Sequence, residues 1–471
     1  MLTFFNTLSG EREEFQPLEP GLVKLYTCGP TVYDFAHIGN HRAYVFEDLL
    51  KRTLVFSGYR VTHVMNITDV DDKTIKGANA AGTSLGAYTE RFIRAFYEDL
   101  KTLRILPADH YPRATEHIPG MVGLIRILLE KGVAYRKDGS IYFRVAAFPA
   151  YGRLSKIDPA ELRTTGRIAG RIESDEYEKE GVRDFALWKA PKEGEPVWQT
   201  EIGPGRPGWH IECSAMSSHY LGPTFDIHCG GVDNIFPHHE NEIAQSEAAT
   251  GKPFVRYWLH CHHLVVDGEK MAKSKGNVYT LRDLATRGAD PAALRFLLLS
   301  THYRKVLNFT FEALDQAASA LGRIRDFLYE LENGRFPAGG TADLSAFAAD
   351  CRTRFAEGLA DDLNISTALT ALFEFIKKAN LLIKAGNFRA DDAKQASALV
   401  YSLDDVLAVL PPRGTQALPE ELLAKVRARE EARRSRDFRK ADELRQELLN
   451  AGVVLEDTKD GVRWKFVKPI G

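Results

Sequence analysis

A strand, a helix and a second strand follow one another near the start of the chain, and this pattern limits the fold more than any other. Residues 22–27 are predicted to form a strand that leads into a turn at 28–30. Apolar side chains recur at helical spacing over 41–57, Gly58 is placed to cap that helix, and 61–67 is predicted to be the next strand. Such a βαβ unit favours a parallel sheet that binds ligands at the carboxyl ends of its strands. We therefore expect an α/β fold with a Rossmann-type parallel sheet.

At 471 residues the chain is too long for a single core, and its pattern changes along its length. Between 107 and 200, hairpin-like pieces such as 139–145 and a charged loop at 167–183 replace the helices. This change indicates an insertion in a nucleotide-binding fold. Strand patterns resume at 225–228 and at 257–266.

From residue 281 the chain is predicted to be mostly helical, because apolar side chains recur at helical spacing. A Pro-Pro-Arg-Gly linker at 411–414 precedes a small tail, for which we expect a helix or helical pair up to 450 and a hairpin over 453–466. We predict a Rossmann-type domain in two halves, an insertion that connects them, a lysine-containing region, an all-α helical bundle and a small mixed C-terminal domain. Their expected bounds are, in that order, 1–106 with 201–265, 107–200, 266–310, 311–412 and 413–471.

The composition argues against several classes of protein. With a formal net charge of −2, any contact with nucleic acid must come from local basic patches. No apolar run approaches the roughly 18 residues of a membrane span, so we expect no membrane association. The first residues lack the basic start and long apolar stretch of a secretory signal. Five cysteines are an odd and sparse set for a disulfide framework, so a reducing, cytoplasmic location is expected.

Four side chains with metal-binding chemistry are spread along the chain. His238 and Glu242 are four residues apart and would share one face of a helix. Cys213 precedes them, and Cys28 stands at the end of the first predicted strand. Thiolate, imidazole and carboxylate are all zinc ligands. Spacing alone cannot join ligands so far apart, and a cysteine at a strand end is more simply a buried small residue.

Two short motifs carry phosphate-binding chemistry. His37-Ile38-Gly39-Asn40 opens a helix, where free backbone N–H groups and the helix dipole favour phosphate. The second motif, 270–274, follows a strand and turn and contains Lys270 and Lys273. A mobile loop with two lysines can close over the β- and γ-phosphates of ATP. Taken singly, the first motif is equally explained as a helix cap and the second as solvated lysines.

Together and in this order, these stretches resemble the cysteinyl-tRNA synthetase family of class I aminoacyl-tRNA synthetases. The resemblance is carried by 26–34, 208–216, 238–242 and the two phosphate motifs, and it extends over essentially the whole chain. Two positions depart from the common pattern. Asn40 replaces a second histidine but can still donate a hydrogen bond. Ala272 stands where serine is commoner, which removes one hydroxyl and leaves both lysine charges, so we expect activity to survive.

The resemblance implies a role for each of these positions. One zinc ion per chain would be held by Cys28, Cys213, His238 and Glu242. The catalytic residues would be His37, Asn40, Lys270 and Lys273. ATP, with Mg²⁺, would contact Gly29, His37, Gly39, Asn40, Lys270 and Lys273. The amino-acid pocket would be formed by Thr68, Trp209, Asp233 and His228.

Neighbouring residues have simpler expected roles. His239 lies off the ligand face and is expected to pack or to support the ligands. Cys229 is not expected to bind the metal, and Cys261 and Cys351 are most simply core residues. Zinc prefers a substrate thiolate to a serine hydroxyl, so the resemblance implies no editing domain.

A basic segment near the C-terminus is the candidate for RNA contact. Residues 425–440 contain eight basic and three acidic side chains, a local charge of +5. The segment is either a solvated helix face or a phosphate-binding one. Its similarity to the tail of the family favours the second, with Trp464 stacking on anticodon bases. The helical block around 361–364 resembles the family's anticodon-stem bundle. The implied partners are tRNA(Cys), L-cysteine and ATP, and the chain is expected to be a monomer.

Three other interpretations remain open from the sequence. The first is a ligase of the same superfamily that joins cysteine to an aminosugar, although such an acceptor needs no long helical arm. The second is a non-catalytic, tRNA-binding relative, which intact zinc and lysine motifs disfavour. The third is a generic nucleotide-binding α/β protein, which leaves the ligand set unexplained.

Overall fold

The computed structural model describes residues 1–157, 184–411, 420–458 and 461–466; the predicted charged loop at 167–183 and most of the linker at 411–414 lie outside these ranges. The predicted βαβ unit is confirmed, because the third and fourth strands are parallel and joined through a long helix. The first strands are β1 (Thr3–Asn6), β2 (Glu11–Glu14), β3 (Leu22–Thr27) and β4 (Arg60–Met65). The first helices are α1 (Ile38–Phe56), α2 (Asp72–Ala81) and α3 (Leu85–Thr102).

The limits of this unit differ slightly from the sequence prediction. α1 begins at Ile38 rather than at 41, because the side chains of His37 and Asn40 each accept a backbone N–H of the other residue. Beyond the other end of α1, Gly58 has a φ of 92°, a conformation that favours glycine. β4 ends at Met65, and Thr68 beyond it pairs with the turn after β3.

An antiparallel sheet interrupts the parallel one. Its region contains α4 (Ile118–Glu130), β5 (Ala134–Lys137), β6 (Ser140–Phe143), β7 (Phe185–Lys189) and β8 (Arg206–Pro207). The four strands are ordered β5-β6-β7-β8. The parallel sheet resumes with α5 (Trp209–Leu221), β9 (Phe225–Gly231), α6 (Glu240–Thr250) and β10 (Val255–Cys261). Its strand order is β10-β9-β3-β4, with every pair parallel.

The rest of the described chain is mostly helical, as predicted. A short sheet comes first, from β11 (Leu264–Val266), β12 (Glu269–Lys270) and β13 (Leu307–Phe309), with α7 (Leu281–Thr286) and α8 (Pro291–Ser300) between them. The strand pattern predicted over 257–266 is therefore divided between two sheets. The bundle helices are α9 (Phe311–Asn333), α10 (Ala342–Ala360), α11 (Ile365–Lys384) and α12 (Ala390–Leu407). The tail contains α13 (Glu420–Arg434), α14 (Phe438–Asn450) and the hairpin of β14 (Val453–Thr458) and β15 (Gly461–Phe466).

The parallel sheet lies between two hydrophobic clusters, because successive side chains of a strand point to opposite faces. Leu25 and Leu259 belong to the larger cluster, which continues through α1 into the bundle helices. Tyr26 and Trp258 belong to the other, which includes α5 and the antiparallel sheet. The strand ends between these clusters are consequently held on both sides. Within the described ranges, no helix is both long and apolar enough to cross a membrane.

Candidate functional site

A cleft of about 830 Å³ opens where the parallel strands end. Parallel strands bring their carboxyl ends to one edge of a sheet, so residues far apart in sequence meet there. The cleft is lined by the predicted residues Cys28, Gly29, His37, Gly39, Asn40, Thr68, Trp209, Cys213, Asp233, His238, Lys270 and Lys273. His228 and Glu242 do not line it, and both are fully buried close to Cys28.

The four predicted metal ligands lie together at this cleft. One ligand atom from each of Cys28, Cys213, His238 and Glu242 lies within 4.8 Å of the other three. Cys28 follows β3, Cys213 is on α5 and Glu242 is on α6. His238 is not on the same regular helix as Glu242, because it belongs to a π-helical turn at 235–239 that precedes α6. Its Nε2 nevertheless lies 3.1 Å from Glu242 Oε1.

The chemistry of this cluster fits a divalent metal ion. Glu242 Oε1 is buried and, despite its short contact with His238 Nε2, it has no hydrogen-bond partner in the described part of the chain. Burial raises the pKa of Glu242. The hydrogen bond between the two thiols raises the pKa of Cys28 and lowers the pKa of Cys213. Two thiols and a carboxyl group in one buried place are costly to ionise unless a cation balances them. Metal binding requires these deprotonated forms.

Two further histidines form a second candidate set that shares two ligands with the first. His228 and His239 lie within the same 4.8 Å limit of Cys28 and Glu242. His228 Nε2 is 3.0 Å from Glu242 Oε2, and His239 Nε2 is 3.2 Å from Cys28 Sγ. The sequence predicts His228 in the substrate pocket and His239 in a packing or supporting role. The structure places both rings against predicted metal ligands, His228 on Glu242 and His239 on Cys28, where such partners can orient ligand atoms.

A chain of hydrogen bonds leads from Cys28 to the N-terminal hairpin. His239 Nδ1 lies 2.8 Å from His260 Nε2, and His260 Nδ1 lies 2.8 Å from Thr7 Oγ1. Burial lowers the pKa of His239, and it lowers the pKa of His260 to about 3, so both rings are neutral. A neutral ring has one N–H. The chain is satisfied when Thr7 donates to His260, His260 to His239, and His239 to the sulfur of Cys28. The sequence indicated neither His260 nor Thr7, since both contacts join distant segments.

His37 and Asn40 cap the start of α1. The Asn40 N–H donates to His37 Nδ1 at 3.2 Å, and the His37 N–H donates to Asn40 Oδ1 at 3.1 Å. Burial lowers the pKa of His37, so the ring is neutral at pH 7, and its proton lies on Nε2 because Nδ1 is an acceptor. The motif therefore presents an imidazole donor beside the free N–H groups of a helix N-terminus.

Two glycines allow close approach at the cleft. A Cβ on Gly39 would lie 2.4 Å from the Met271 side chain, so the lysine loop packs directly on α1. A Cβ on Gly29 would lie 1.8 Å from the backbone oxygen of Asn66. Asn66 Oδ1 accepts the Gly29 N–H at 3.0 Å, and Asn66 Nδ2 donates to Thr68 Oγ1 at 3.2 Å. Asn66, which the sequence did not indicate, therefore holds the Gly29 backbone and the Thr68 hydroxyl in position.

Trp209 and Asp233 both line the cleft. The Trp209 ring stacks on His238, with centroids 4.0 Å apart and planes 17° apart. The indole is thus one wall of the cleft. Asp233 follows β9, where a Cβ on Gly231 would lie 2.4 Å from Asp233 Oδ1. Its carboxylate therefore packs on glycine backbone at the edge of the cleft.

The lysine loop reaches across the cleft to the segment before α1. Lys273 Nζ forms an ion pair with Asp34 and lies 5.9 Å from the centre of the Tyr33 ring. The Lys273 side chain is nevertheless 69% exposed. Lys270 lines the cleft on the same loop, and its side chain is also exposed.

Cys261 and Cys351 are buried in the core, as predicted, and Cys229 is buried as well. Burial raises the pKa of Cys261 and that of Cys351 to about 12, and it raises the pKa of Cys229 well above its ordinary value. These thiols therefore stay protonated and unreactive. All five cysteines of the chain are free thiols.

The basic segment 425–440 lies on α13 and α14. Lys425 pairs with Glu447 at 2.6 Å and Arg439 with Glu443 at 3.1 Å, so part of its charge is neutralised within the tail. The side chain of Trp464 lies outside the described residues.

Known protein families match most of the chain. The family described as tRNA synthetases class I (C) catalytic domain matches residues 14–319. The DALR domain matches 354–411, and the Cysteinyl-tRNA ligase anticodon binding domain matches 415–464.

Similar curated proteins cover almost the full length. The Cysteine--tRNA ligase of Solibacter usitatus (strain Ellin6076) is 50% identical over 467 residues, which are 98% of this chain and 99% of the relative. The Cysteine--tRNA ligase of Chlamydia muridarum (strain MoPn / Nigg) is 50% identical over 480 residues, which are 99% of this chain and 100% of the relative.

Solved structures share the fold. Mycobacterium tuberculosis methionyl-tRNA synthetase in complex with methionyl-adenylate has a TM-score of 0.60 at 19% identity, over 82% of this chain and 90% of that one. The ternary complex of Agrobacterium radiobacter K84 agnB2 LeuRS-tRNA-LeuAMS has a TM-score of 0.60 at 13% identity, over 84% and 85%. Family models match most of the chain, and relatives of 50% identity cover 98% and 99% of it, so the chain belongs to the cysteine--tRNA ligase family of class I aminoacyl-tRNA synthetases.

Proposed function

We propose that this chain is an ATP-dependent ligase that activates L-cysteine as cysteinyl adenylate and transfers it to the 3′ end of tRNA(Cys). One observation carries the proposal. A cluster of two thiols, an imidazole and a carboxylate shares a cleft with a capped helix N-terminus and a lysine loop. Recognition of sulfur and handling of phosphate are the two tasks that cysteine activation combines.

The metal is proposed to be one zinc ion held by Cys28, Cys213, His238 and Glu242. Bound there, zinc supplies a soft Lewis acid that prefers the cysteine sulfur to the oxygen of serine. Shape alone separates such similar side chains by only about 1–3 kcal/mol, so recognition of the sulfur itself makes an editing domain unnecessary. His228 and His239 orient the ligands through the contacts described above.

The amino acid is proposed to lie between Thr68, Trp209 and Asp233. Asp233 places a carboxylate at this edge of the cleft, which suits the ammonium group of the substrate. Trp209 limits the pocket on the side of His238. Asn66 Nδ2 donates a hydrogen bond to Thr68 Oγ1 and so orients the hydroxyl group. The hydroxyl proton of Thr68 then remains to donate to the substrate.

ATP is proposed to bind along the start of α1, with Mg²⁺ on its phosphates. In adenylation, a carboxylate oxygen of cysteine attacks the α-phosphorus, and the bond to pyrophosphate breaks. The His37 Nε2–H and the Asn40 amide nitrogen donate to the α-phosphate oxygens as charge gathers there. Lys270 and Lys273 stabilise the departing pyrophosphate. Gly29 and Gly39 leave backbone surface against which the nucleotide lies.

Binding of tRNA(Cys) is assigned to the regions 311–412 and 413–471. The proposal is supported by the exposed basic side chains on α13 and α14, since phosphate contacts come mainly from lysine and arginine. The protein is proposed to act as a monomer. Its five free thiols fit a reducing compartment, and we propose the cytoplasm.

Two assays on the purified protein test the function. Cysteine should drive exchange of pyrophosphate into ATP, and the same preparation should then attach cysteine to tRNA(Cys). Exchange without charging, but with consumption of an amino sugar, would favour the aminosugar ligase. The absence of exchange, with tRNA binding retained, would show a non-catalytic relative.

A further inference from the structure

Tyr33 and Asp34, which precede α1, form the surface that Lys273 of the lysine loop contacts. Asp34 Oδ1 accepts the Phe35 N–H at 2.8 Å, which turns Oδ2 toward Lys273. The backbone oxygen of Tyr33 accepts a hydrogen bond from the Tyr88 hydroxyl at 2.8 Å, so this segment is anchored on α3. The carboxylate and the Tyr33 ring are thus held in place before the lysine meets them.

The loop itself is braced so that Lys273 stands at its tip. The Ala272 N–H donates to Asn277 Oδ1 at 2.8 Å, and Asn277 Nδ2 donates to the Lys270 oxygen at 3.3 Å. Gly276 closes the turn with a φ of 66°. Of the loop's lysines, Lys273 is paired across the cleft, whereas Lys275 is paired within the loop to Glu269 at 2.8 Å.

Lys273 cannot serve Asp34 and a triphosphate at once. Asp34 and Lys273 both line the cleft in which ATP is proposed to bind. Their side chains are 40% and 69% exposed, and ion pairs in such surroundings are weak. A polyphosphate carries more negative charge than one carboxylate, so it can take the ammonium group from Asp34.

We propose that Asp34 is a positioning residue that holds Lys273 over the cleft before ATP binds and then yields it to the phosphates. The inference rests on the proposed function in that ATP is the ligand. ATP binding must break the pair, so Asp34 weakens the binding of ATP in the ground state. In return, the loop is already closed over the cleft when ATP arrives, and Lys273 has only to change its partner.

The test is a double-mutant cycle on ATP affinity. Binding of ATP with Mg²⁺, without cysteine or tRNA, is measured by calorimetry for the parent, Asp34→Asn, Lys273→Ala and the double variant. Asp34→Asn should bind ATP about two- to fivefold more tightly, the range that an exposed ion pair supports. In the Lys273→Ala background the same change should give no gain. Glu269→Gln removes the equivalent charge from the neighbouring pair and should leave ATP affinity as it is.

A second readout does not depend on ATP. Without ligand, trypsin should cleave after Lys273 several times faster in Asp34→Asn than in the parent or in Glu269→Gln, because the loop is no longer held. Equal cleavage rates would overturn the proposal.

Two other outcomes of the cycle would also overturn it. Weaker ATP binding in Asp34→Asn would show that Asp34 holds the metal–nucleotide complex. A gain that persists in the Lys273→Ala background would show simple repulsion of phosphate by Asp34. Failure of the proposed function is recognised separately, because it appears as absent cysteine-dependent pyrophosphate exchange in the parent protein.

Discussion

The cluster of predicted metal ligands and the lysine loop lie at the same cleft but are built in opposite ways. In the cluster, Cys213, His238 and Glu242 are buried, and the ligands contact further histidines that orient them. In the loop, Lys273 is 69% exposed and is held by one ion pair. In the proposed function the cluster distinguishes sulfur from oxygen, and this task needs fixed ligands. Lys273 is proposed to follow the departing pyrophosphate, and this task needs freedom to move.

The largest loss of activity is expected from a substitution in the cluster of predicted metal ligands. Cys28→Ser replaces a thiolate ligand with a poor one, and it exchanges the sulfur that His239 contacts for a hydroxyl oxygen. Cysteine-dependent pyrophosphate exchange should fall by more than about 100-fold, since even the loss of an outer partner costs about 10- to 100-fold. Metal analysis should show zinc lost in parallel. Full zinc content with full cysteine affinity would contradict the assigned ligand set.

Substitution of Lys273 in the loop should lower the rate of adenylation more than the affinity for ATP. Lys273→Ala removes a charge that matters most as pyrophosphate leaves, so single-turnover adenylation should slow by about 10²-fold. ATP affinity should change far less, and zinc content should stay the same. A variant with an unchanged adenylation rate would show that Lys273 is an ordinary solvated side chain.

The hydrogen bonds that run from Cys28 through His239 and His260 to Thr7 can be tested apart from the metal ligands themselves. His239→Asn should weaken zinc binding by about 10- to 100-fold in competition with a chelator, because Cys28 loses its donor. The exposed His219 lies elsewhere on α5, and His219→Asn serves as the control. If both variants retain parental zinc affinity, the chain through His239 and His260 does not support the metal.

High salt should weaken the action of the exposed lysine loop more than that of the buried ligand cluster, and this difference can be measured in the parent protein. At about 1 M salt the Debye length is about 3 Å, so exposed charges are screened while buried ones are much less affected. The KM for ATP should rise several-fold, whereas zinc content should not change. Loss of zinc at the same salt concentration would show that the cluster is open to solvent.

The smallest effect is expected at Ala272, where the common serine is missing. Ala272→Ser should change the adenylation rate by less than about twofold, because the loop is braced through the Ala272 backbone N–H and Asn277. Exchange assays at saturating ATP provide the comparison. A gain of tenfold or more would mean that the missing hydroxyl limits the parent enzyme.

The sequence was informative wherever local pattern decides the structure. The alternation and spacing around β3, α1 and β4 predicted the βαβ unit, and the positions of the ligand stretches followed from family resemblance. The contacts among Thr7, His260 and His239 could not be predicted, because they join a hairpin, a strand and a turn that only tertiary packing brings together. The same applies to Asp34 and Lys273, which are 239 residues apart.

The substrate's sulfur is proposed to meet the metal in the same cleft that binds ATP. Replacing zinc with cobalt gives the cluster a visible spectrum, in which each new sulfur ligand adds charge-transfer absorption. Addition of L-cysteine should increase this absorption, and L-serine at the same concentration should not. The Cys28→Ser protein should give no increase. An identical response to cysteine and serine, in a preparation that still catalyses cysteine-dependent pyrophosphate exchange, would contradict the account.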